Sequence, residues 1–194
     1  MVKYFMVVRD FWLTRLKEAW KRVPIVWLAG VRRVGKTTLV RSQPDSDYVY
    51  VNCDSPQAAQ SAADPEFFFQ QVRKPVVIFD EIHQLPDPAR LLKIGADVFP
   101  RLKIVATGSS TLAAAKKFRD ALTGRKRVVC LRPVLFTELE AFGNVNLEHR
   151  LLRGGLPQML LGGNRIQSFI ASGWIPIFRV MCRSFSASPS DPVI

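Results

Sequence analysis

The chain has few cysteines and no long apolar run, and each absence excludes a class of protein. Its three cysteines are odd in number and lie far apart among 194 residues, which argues against a disulfide framework and favours a reducing compartment. No apolar run approaches the ~20 residues of a transmembrane helix, and the charged start is unlike a secretion signal. We therefore expect a cytoplasmic protein with no membrane partner and one main domain.

Acidic side chains are also scarce, because 16 Asp and Glu stand against 28 Lys and Arg, a formal net charge of +12. Such a surplus is typical of proteins that neutralise nucleic-acid phosphates. It equally fits a basic domain that binds nucleotide phosphate, or one that lacks an acidic companion segment. No stretch of five or more Lys and Arg occurs, and no basic run is interleaved with aromatics, so charge alone leaves nucleic-acid binding open.

One stretch near the N-terminus has the features of a phosphate-binding loop. The unbroken apolar run Ile25–Ala29 predicts a strand buried on both faces, and residues 36–41 after the loop can continue as a helix. Gly30 and Gly35 allow backbone angles that turn successive N–H groups around a phosphate. The predicted phosphate-binding residues are Gly30, Val31, Arg32, Arg33, Val34, Gly35, Lys36, Thr37 and Thr38. The alternative is a chance pattern in a loop beside a core strand.

A second informative stretch places two acids directly after the apolar run 76–79. In an open parallel sheet, ligands bind at the carboxyl ends of the strands, where the phosphate loop also lies. We predict that Lys36 reaches the β- and γ-phosphates, and that Thr37 and Asp80 hold Mg²⁺. Glu81 is then placed to orient or deprotonate an attacking water. The alternative for the acidic pair is a helix cap or a solvated surface pair.

The rest of the chain alternates between patterns typical of helices and of strands. Residues 10–22 predict an amphipathic helix with Trp12, Leu16 and Trp20 on its buried face. Further strands are predicted at 48–52, 75–79, 102–106 and 125–131, with helices starting at the cap-plus-proline pairs 55–56, 64–65 and 87–88 and at residue 110. Phe67, Phe68 and Phe69 are expected to pack into the core. Such alternation predicts an α/β domain with a parallel sheet.

Three further positions are candidates for the same site. The polar cluster 107–110 ends a predicted strand, and its hydroxyls can contact the γ-phosphate or the attacking water, although a serine there can equally cap the next helix. Arg125 can reach the γ-phosphate of a neighbouring subunit, as arginine fingers do, or it is a solvated charge at a sheet edge. His83 is expected in a loop near the site, without an assigned role.

These motifs resemble those of one protein family. Residues 30–37, 77–82 and 106–110 look like the Walker A, Walker B and sensor-1 motifs of an AAA+ ATPase. Segments 122–125, 131–138 and 154–157 narrow the resemblance to prokaryotic AAA-type ATPases whose N-terminal ATPase domain precedes a C-terminal domain of unknown function. The resemblance covers about residues 7–163, with the motifs in family order.

The resemblance implies a fold and a chemistry. The expected fold is the P-loop NTPase three-layer α/β/α sandwich, with a mostly parallel five-stranded sheet in the order 5-1-4-3-2. It implies ATP and Mg²⁺ as ligands of Lys36, Thr37 and Asp80, Glu81 as the catalytic glutamate, and Ser109 or Thr107 as the sensor. The expected activity is ATP hydrolysis, and the alternatives are an ATP-binding switch or a nucleic-acid-associated ATPase. A homo-oligomer or a protein partner is compatible with all three.

The C-terminal part departs from the family pattern. No acidic residue occurs from Gly163 to Ser190, and no helical period is sustained there. We therefore divide the chain into an N-terminal helical segment (1–24), the ATPase domain (25–163) and an atypical tail (164–194). Our hypothesis is that a reading-frame shift near Gln167 replaced the native continuation and truncated the protein. Sequencing the locus tests it, because an alternative frame should then encode a helix followed by a second domain.

Overall fold

The computed structural model describes residues 7–108, 122–143, 150–151 and 153–161. Its helices and strands follow one another as α1 (Asp10–Trp20), β1 (Ile25–Ala29), α2 (Lys36–Val40), β2 (Tyr48–Asn52), α3 (Pro56–Ser61), α4 (Pro65–Gln71), β3 (Val76–Asp80), α5 (Pro88–Val98), β4 (Lys103–Thr107), β5 (Lys126–Cys130) and α6 (Pro157–Leu161). Short 3₁₀ turns occupy Ile82–Gln84 and Phe136–Glu138. No helix within these ranges is long and apolar enough to cross a membrane.

The five strands form one sheet in which every pair is parallel, in the order β2-β3-β4-β1-β5. This is the expected order 5-1-4-3-2 counted from the other edge, so the predicted P-loop NTPase fold is confirmed. Trp27 in β1 pairs with Ala106 in β4 and with Val128 in β5. Because all strands run the same way, Asp80 and Thr107 at the ends of β3 and β4 reach the edge where β1 enters the glycine-rich loop.

Two apolar layers enclose the sheet. One cluster contains Trp12, Leu16 and Trp20 of α1 together with Leu39 of α2, which confirms the predicted buried face of the first helix. The other cluster packs α4 and α5 against the opposite face of the sheet. There Gly95 of α5 lies so close to α4 and to the sheet that a Cβ atom would stand 2.6 Å from Phe69 Cζ of α4 and 2.7 Å from Ile104 Cδ1 of β4. The helices therefore form the two outer layers of the predicted sandwich.

The structure differs from the sequence predictions at one of the three phenylalanines of α4. Phe69 is buried and Phe68 packs against the core, but Phe67 is 60% exposed. The prediction is wrong for Phe67 because three consecutive helical residues spread over more than half of the helix circumference. The predicted helix from residue 110 and the tail 164–194 lie outside the described residues.

A buried ion pair connects three segments that are distant in sequence. Arg9, immediately before α1, donates from Nη2 to Glu138 Oε2 at 2.7 Å and from Nε to Oε1 at 2.9 Å. Nη1 also donates to the carbonyl of Val34 in the glycine-rich loop, and Nη2 to that of Arg132 after β5. Trp12 Nε1 completes the contacts by donating to Glu138. The ion pair therefore holds the N-terminal segment, the loop and the chain after β5 together.

Replacing Glu138 by Gln should destabilise the fold strongly. The variant leaves the Arg9 guanidinium buried without a counter-charge, which typically costs about 3–5 kcal/mol. Glu140→Gln, at an exposed position of the same segment, should change the unfolding free energy by under about 0.5 kcal/mol. Urea unfolding measures both variants. Equal stabilities would contradict a structural role for the pair.

The Arg9–Glu138 pair should also affect how the free energy of unfolding changes with pH under acidic conditions. Burial is the largest influence and raises the pKa of Glu138, but the hydrogen bonds from Arg9, the Leu135 N–H and Trp12, together with the charge of Arg9, outweigh it and lower the pKa of that carboxyl below its ordinary value of 4.5. The contribution is therefore present above about pH 4.5 and is lost as pH falls through the lower folded-state pKa. We expect Glu138→Gln to flatten this pH dependence in urea titrations between pH 3 and 7.

Candidate functional site

The glycine-rich loop after β1 depends on its two glycines for different reasons. A Cβ atom on Gly30 would lie 2.8 Å from the carbonyl oxygen of Leu131, so a side chain there would collide with the backbone after β5. Gly35 adopts φ 95° and ψ 28°, in the left-handed region that favours glycine. It immediately precedes α2. The loop is therefore held close to the sheet edge and turns sharply into the helix.

Lys36 begins α2 and its side chain folds back over the loop. Its ammonium donates to the carbonyl oxygens of Gly30 at 3.0 Å and Val31 at 3.3 Å, and the residue is buried. Burial lowers the pKa of Lys36, while the nearby carboxylates of Glu81 and Asp80 act in the opposite direction. A partly desolvated cation of this kind interacts strongly with an anion that enters the loop.

The Asp80 carboxylate, at the end of β3, accepts hydrogen bonds from three hydroxyl groups. Thr37 of α2 and Tyr50 of β2 each donate to Oδ2 at 2.7 Å, and Thr107 of β4 donates to Oδ1. Asp80 is only 4% exposed. Since a buried carboxylate needs such partners, the three donors fix its position at the sheet edge.

Glu81 follows Asp80 in an unusual backbone conformation. Its φ of 54° and ψ of 44° lie in the left-handed region, where a residue with a side chain is strained. Its N–H donates to the Thr107 hydroxyl at 3.1 Å. Its carboxylate Oε2 lies 3.3 Å from His83 Nδ1, but neither atom makes a hydrogen bond within the described part of the chain. The site therefore holds a buried carboxylate oxygen with spare acceptor capacity.

The comparisons with known proteins identify the family. Residues 22–140 match the AAA domain family. The chain belongs to this family, within the AAA+ P-loop ATPases. The uncharacterized protein Rv2008c of Mycobacterium tuberculosis and the uncharacterized protein Mb2031c of Mycobacterium bovis are each 31% identical over 150 residues. The match covers 74% of this chain and 32% of each relative, so the chain spans about a third of their length.

Solved structures agree with this AAA domain at the level of the fold. The Walker-type ATPase PABY2304 of Pyrococcus abyssi superposes with a TM-score of 0.57 and 19% identity, over 93% of this chain and 76% of that one. The RuvB Holliday junction branch migration motor of Thermotoga maritima gives 0.51 and 18%, over 80% and 60%. At such identities the likeness shows the fold alone.

The AAA domain brings most of the predicted site residues together. Lys36, Thr37, Asp80 and Glu81 lie at one sheet edge, where direct contacts or charge interactions link them. Thr107 joins them through its hydrogen bonds to Asp80 and Glu81. The loop positions Val31, Arg32, Arg33 and Thr38 are exposed beside them. Ser109, the other sensor candidate, lies outside the described residues.

Arg125 lies at the amino-terminal ends of the strands, opposite the carboxyl-terminal ends where the other site residues lie. Its carbonyl accepts from the N–H of Ile25 at the start of β1, and its guanidinium pairs with Asp97 at 2.6 Å. It therefore cannot contact the phosphate loop of its own chain. Whether it serves the site of a second chain stays a prediction.

Two residues of the site were missed by sequence reasoning. Tyr50 carries a weak signal, because the alternation along β2 places residues 48, 50 and 52 on one face. Arg9 carries none, since its partner Glu138 lies 129 residues away. Both contacts arise from the tertiary arrangement of the strands.

The donor set fits Mg²⁺. Thr37 and Asp80 offer hard oxygen atoms, and Mg²⁺ is commonly held by one or two carboxylates together with substrate phosphates and water. Within the described ranges no three His, Cys, Asp or Glu side chains cluster as a protein-only metal site would require. A metal ion here would therefore be coordinated jointly by these protein oxygens and by a bound phosphate.

The strain at Glu81 predicts that glycine is a more stable replacement than alanine at this position. Glu81→Gly and Glu81→Ala both remove the carboxylate, but only glycine adopts the left-handed conformation without strain. We expect the Gly variant to be more stable than the Ala variant by about 1–2 kcal/mol. Thermal and urea unfolding of the two proteins test this, and an equal or lower stability of the Gly variant would contradict the strain.

Proposed function

We propose that this AAA domain binds ATP together with Mg²⁺ and hydrolyses the bond between the β- and γ-phosphates. The observation that carries the proposal is the 2.7 Å hydrogen bond between Thr37 Oγ1 and Asp80 Oδ2, because it joins the glycine-rich loop to the acidic end of β3. Glu81 follows Asp80 directly, and its carboxylate Oε2 accepts no hydrogen bond from the residues that the structure describes. A phosphate-binding loop, a metal-binding pair and a candidate base thus share one edge.

Binding is assigned to the loop and its lysine. The residues Gly30, Val31, Arg32, Arg33, Val34, Gly35 and Thr38 would surround the phosphates with backbone N–H groups and positive side chains. Lys36 would exchange its bonds to the loop carbonyls for bonds to phosphate oxygens. Thr37 and Asp80 would hold Mg²⁺, which supplies positive charge against the phosphate oxygens when it is bound.

Hydrolysis is assigned to Glu81. Its free Oε2 can accept a proton from a water molecule, whose oxygen then attacks the γ-phosphorus while the bond to the bridging oxygen breaks. Lys36 would stabilise the negative charge that develops on the phosphates. Thr107 contacts both the Asp80 carboxylate and the Glu81 N–H, so it would keep the two acidic residues in fixed positions relative to each other. It would also serve as the sensor if Ser109 does not.

The proposal includes a homo-oligomer, in which Arg125 of one copy would reach the site of another. Because Arg125 lies at the sheet edge remote from its own loop, it can act as an arginine finger only in the site of a second copy. Its pairing with Asp97 supports the alternative of a surface ion pair. We further propose that the protein acts in the cytoplasm on free ATP.

Two substitutions should separate binding from hydrolysis. Lys36→Ala removes a charge-assisted hydrogen bond worth about 1.5–3 kcal/mol, so ATP binding should weaken at least about tenfold. Glu81→Gln should keep binding and lose about 10²- to 10⁴-fold in turnover, the usual contribution of a general base. Equilibrium binding of a fluorescent ATP analogue and phosphate release with Mg²⁺ measure the two effects.

Glu66→Gln serves as the matched control, because Glu66 is an exposed carboxylate on α4 and should leave both quantities unchanged. Binding without turnover in the parent protein would favour an ATP-binding switch over an ATPase. Equal turnover in the parent and in Glu81→Gln would contradict the assigned base.

A second candidate function is the binding of nucleic acid, and one surface favours it. A groove with a volume of about 800 Å³ runs between α1 and β5. Among the described residues that line it, Arg15, Lys21, Arg22, Arg127 and Arg132 are basic and Glu18 is acidic. Phe11, which is 46% exposed, also lines it and offers a face for base stacking. We infer that a single-stranded nucleic acid occupies this groove.

The salt dependence of binding tests this inference. Replacing Arg15, Arg22 and Arg127 by Ala should weaken binding of a fluorescent single-stranded oligonucleotide and reduce the slope of log K against log salt by about 2. Arg73, Arg90 and Arg101 are exposed and lie outside the groove lining, so their joint replacement is the control. Equal loss in both triple variants would indicate unspecific charge attraction and overturn the inference.

A further inference from the structure

Tyr50 is the one donor to Asp80 that no predicted motif includes. It lies in β2, which pairs with β3, and its hydroxyl reaches past the strand partner to Asp80 Oδ2 at 2.7 Å. The guanidinium of Arg41 stands 5.0 Å from the centre of its ring. The Tyr50 ring is thus held by a cation on α2's C-terminal side, while its hydroxyl is committed to the carboxylate.

The hydrogen-bonding capacity of Asp80 gives this contact a consequence. An ionised carboxylate offers about four acceptor positions. Thr37, Tyr50 and Thr107 occupy three of them, and Asp80 is almost completely buried. About one acceptor position is left, so a further donor such as a water of a hydrated metal ion can approach from one direction only.

The two oxygens of the carboxylate are held unequally. Among the described residues, Oδ1 accepts a hydrogen bond from Thr107 only, whereas Oδ2 accepts from both Thr37 and Tyr50. Without the Tyr50 hydroxyl, Thr37 would be the only described donor left to Oδ2, and Thr37 is the residue whose oxygen the metal would also use. Tyr50 therefore holds Oδ2 independently of what happens at Thr37.

We propose that Tyr50 is a positioning residue for Mg²⁺, which holds the Asp80 carboxylate in the orientation that leaves one acceptor position for the hydrated ion. The inference rests on the proposed function, because it concerns the same site. It assigns part of the Mg²⁺ affinity to β2, a strand that supplies neither the glycine-rich loop nor the acidic pair.

Tyr50→Phe removes only the hydroxyl group and keeps the ring in place. Binding of a fluorescent ATP analogue is measured with EDTA and then across a Mg²⁺ series. We expect unchanged affinity in EDTA, and a rise of about tenfold or more in the Mg²⁺ concentration for half-maximal effect, the usual loss when an outer-shell partner of a metal ligand is removed.

Tyr48→Phe is the matched control. Tyr48 lies two residues earlier in the same strand, and its hydroxyl donates to Asp45 at 2.7 Å, away from the carboxylate. It should shift thermal stability without changing the Mg²⁺ dependence. A double variant with Asp80→Ala adds a second readout, because the effect of Tyr50→Phe should disappear when the carboxylate is absent.

The outcomes separate this inference from the proposed function. A parent protein whose nucleotide binding shows no Mg²⁺ dependence would overturn the proposed function itself. A Mg²⁺-dependent parent with the same Mg²⁺ curve in Tyr50→Phe would overturn the role of Tyr50 and leave the proposed function standing. A shift in Tyr50→Phe that Tyr48→Phe reproduces would also overturn it, because it would then be an effect of β2 stability.

Discussion

The arrangement of the site depends most on one buried charge, the carboxylate of Asp80. A carboxylate removed from water is unfavourable unless hydrogen bonds compensate it. Here the compensation comes from three hydroxyl groups on three different elements, α2, β2 and β4, which all converge on the end of β3. The loop after β1 is thereby tied to the sheet through Thr37. Moving any one of these elements would deprive the buried carboxylate of one of its three hydrogen bonds, so the carboxylate constrains their mutual positions.

The buried charge of Arg9 likewise fixes the glycine-rich loop, from the side away from β3. Its guanidinium satisfies Glu138 and three backbone carbonyls, one of them that of Val34 inside the glycine-rich loop. The loop is therefore held from two sides, by Thr37 towards β3 and by Arg9 towards the chain after β5. Breaking such a buried pair on one side is strongly destabilising. These contacts on two sides restrict a loop whose glycines would otherwise leave its backbone free to adopt other conformations.

The sequence predicted the elements well and the long-range contacts poorly. The strands were visible because β1, β3 and β4 are short apolar runs buried on both faces, and the proline and capping residues marked the starts of α3, α4 and α5. The spatial order of the strands came from the family resemblance, since no local pattern encodes which strands are neighbours. Phe67 was placed wrongly because consecutive aromatic residues on a helix cannot all face the core. Tyr50 and Arg9 were missed because each acts through a partner that only the folded chain brings near.

Glu81, the residue proposed to accept the proton, is held less completely than its neighbour Asp80. Glu81 has a strained backbone and a carboxylate oxygen that accepts no hydrogen bond from the described residues, although its neighbour Asp80 has three partners. Strain of this kind persists only where the surroundings determine the conformation, and here the Thr107 hydroxyl fixes the Glu81 N–H. Asp80 and Glu81 are adjacent acids in different situations, because Asp80 keeps about one of its four acceptor positions and Glu81 keeps a whole oxygen without a hydrogen bond from the described residues. A carboxylate with three partners is fixed in position, and one with an unoccupied oxygen can accept a proton, which is the division of roles that the proposed mechanism requires.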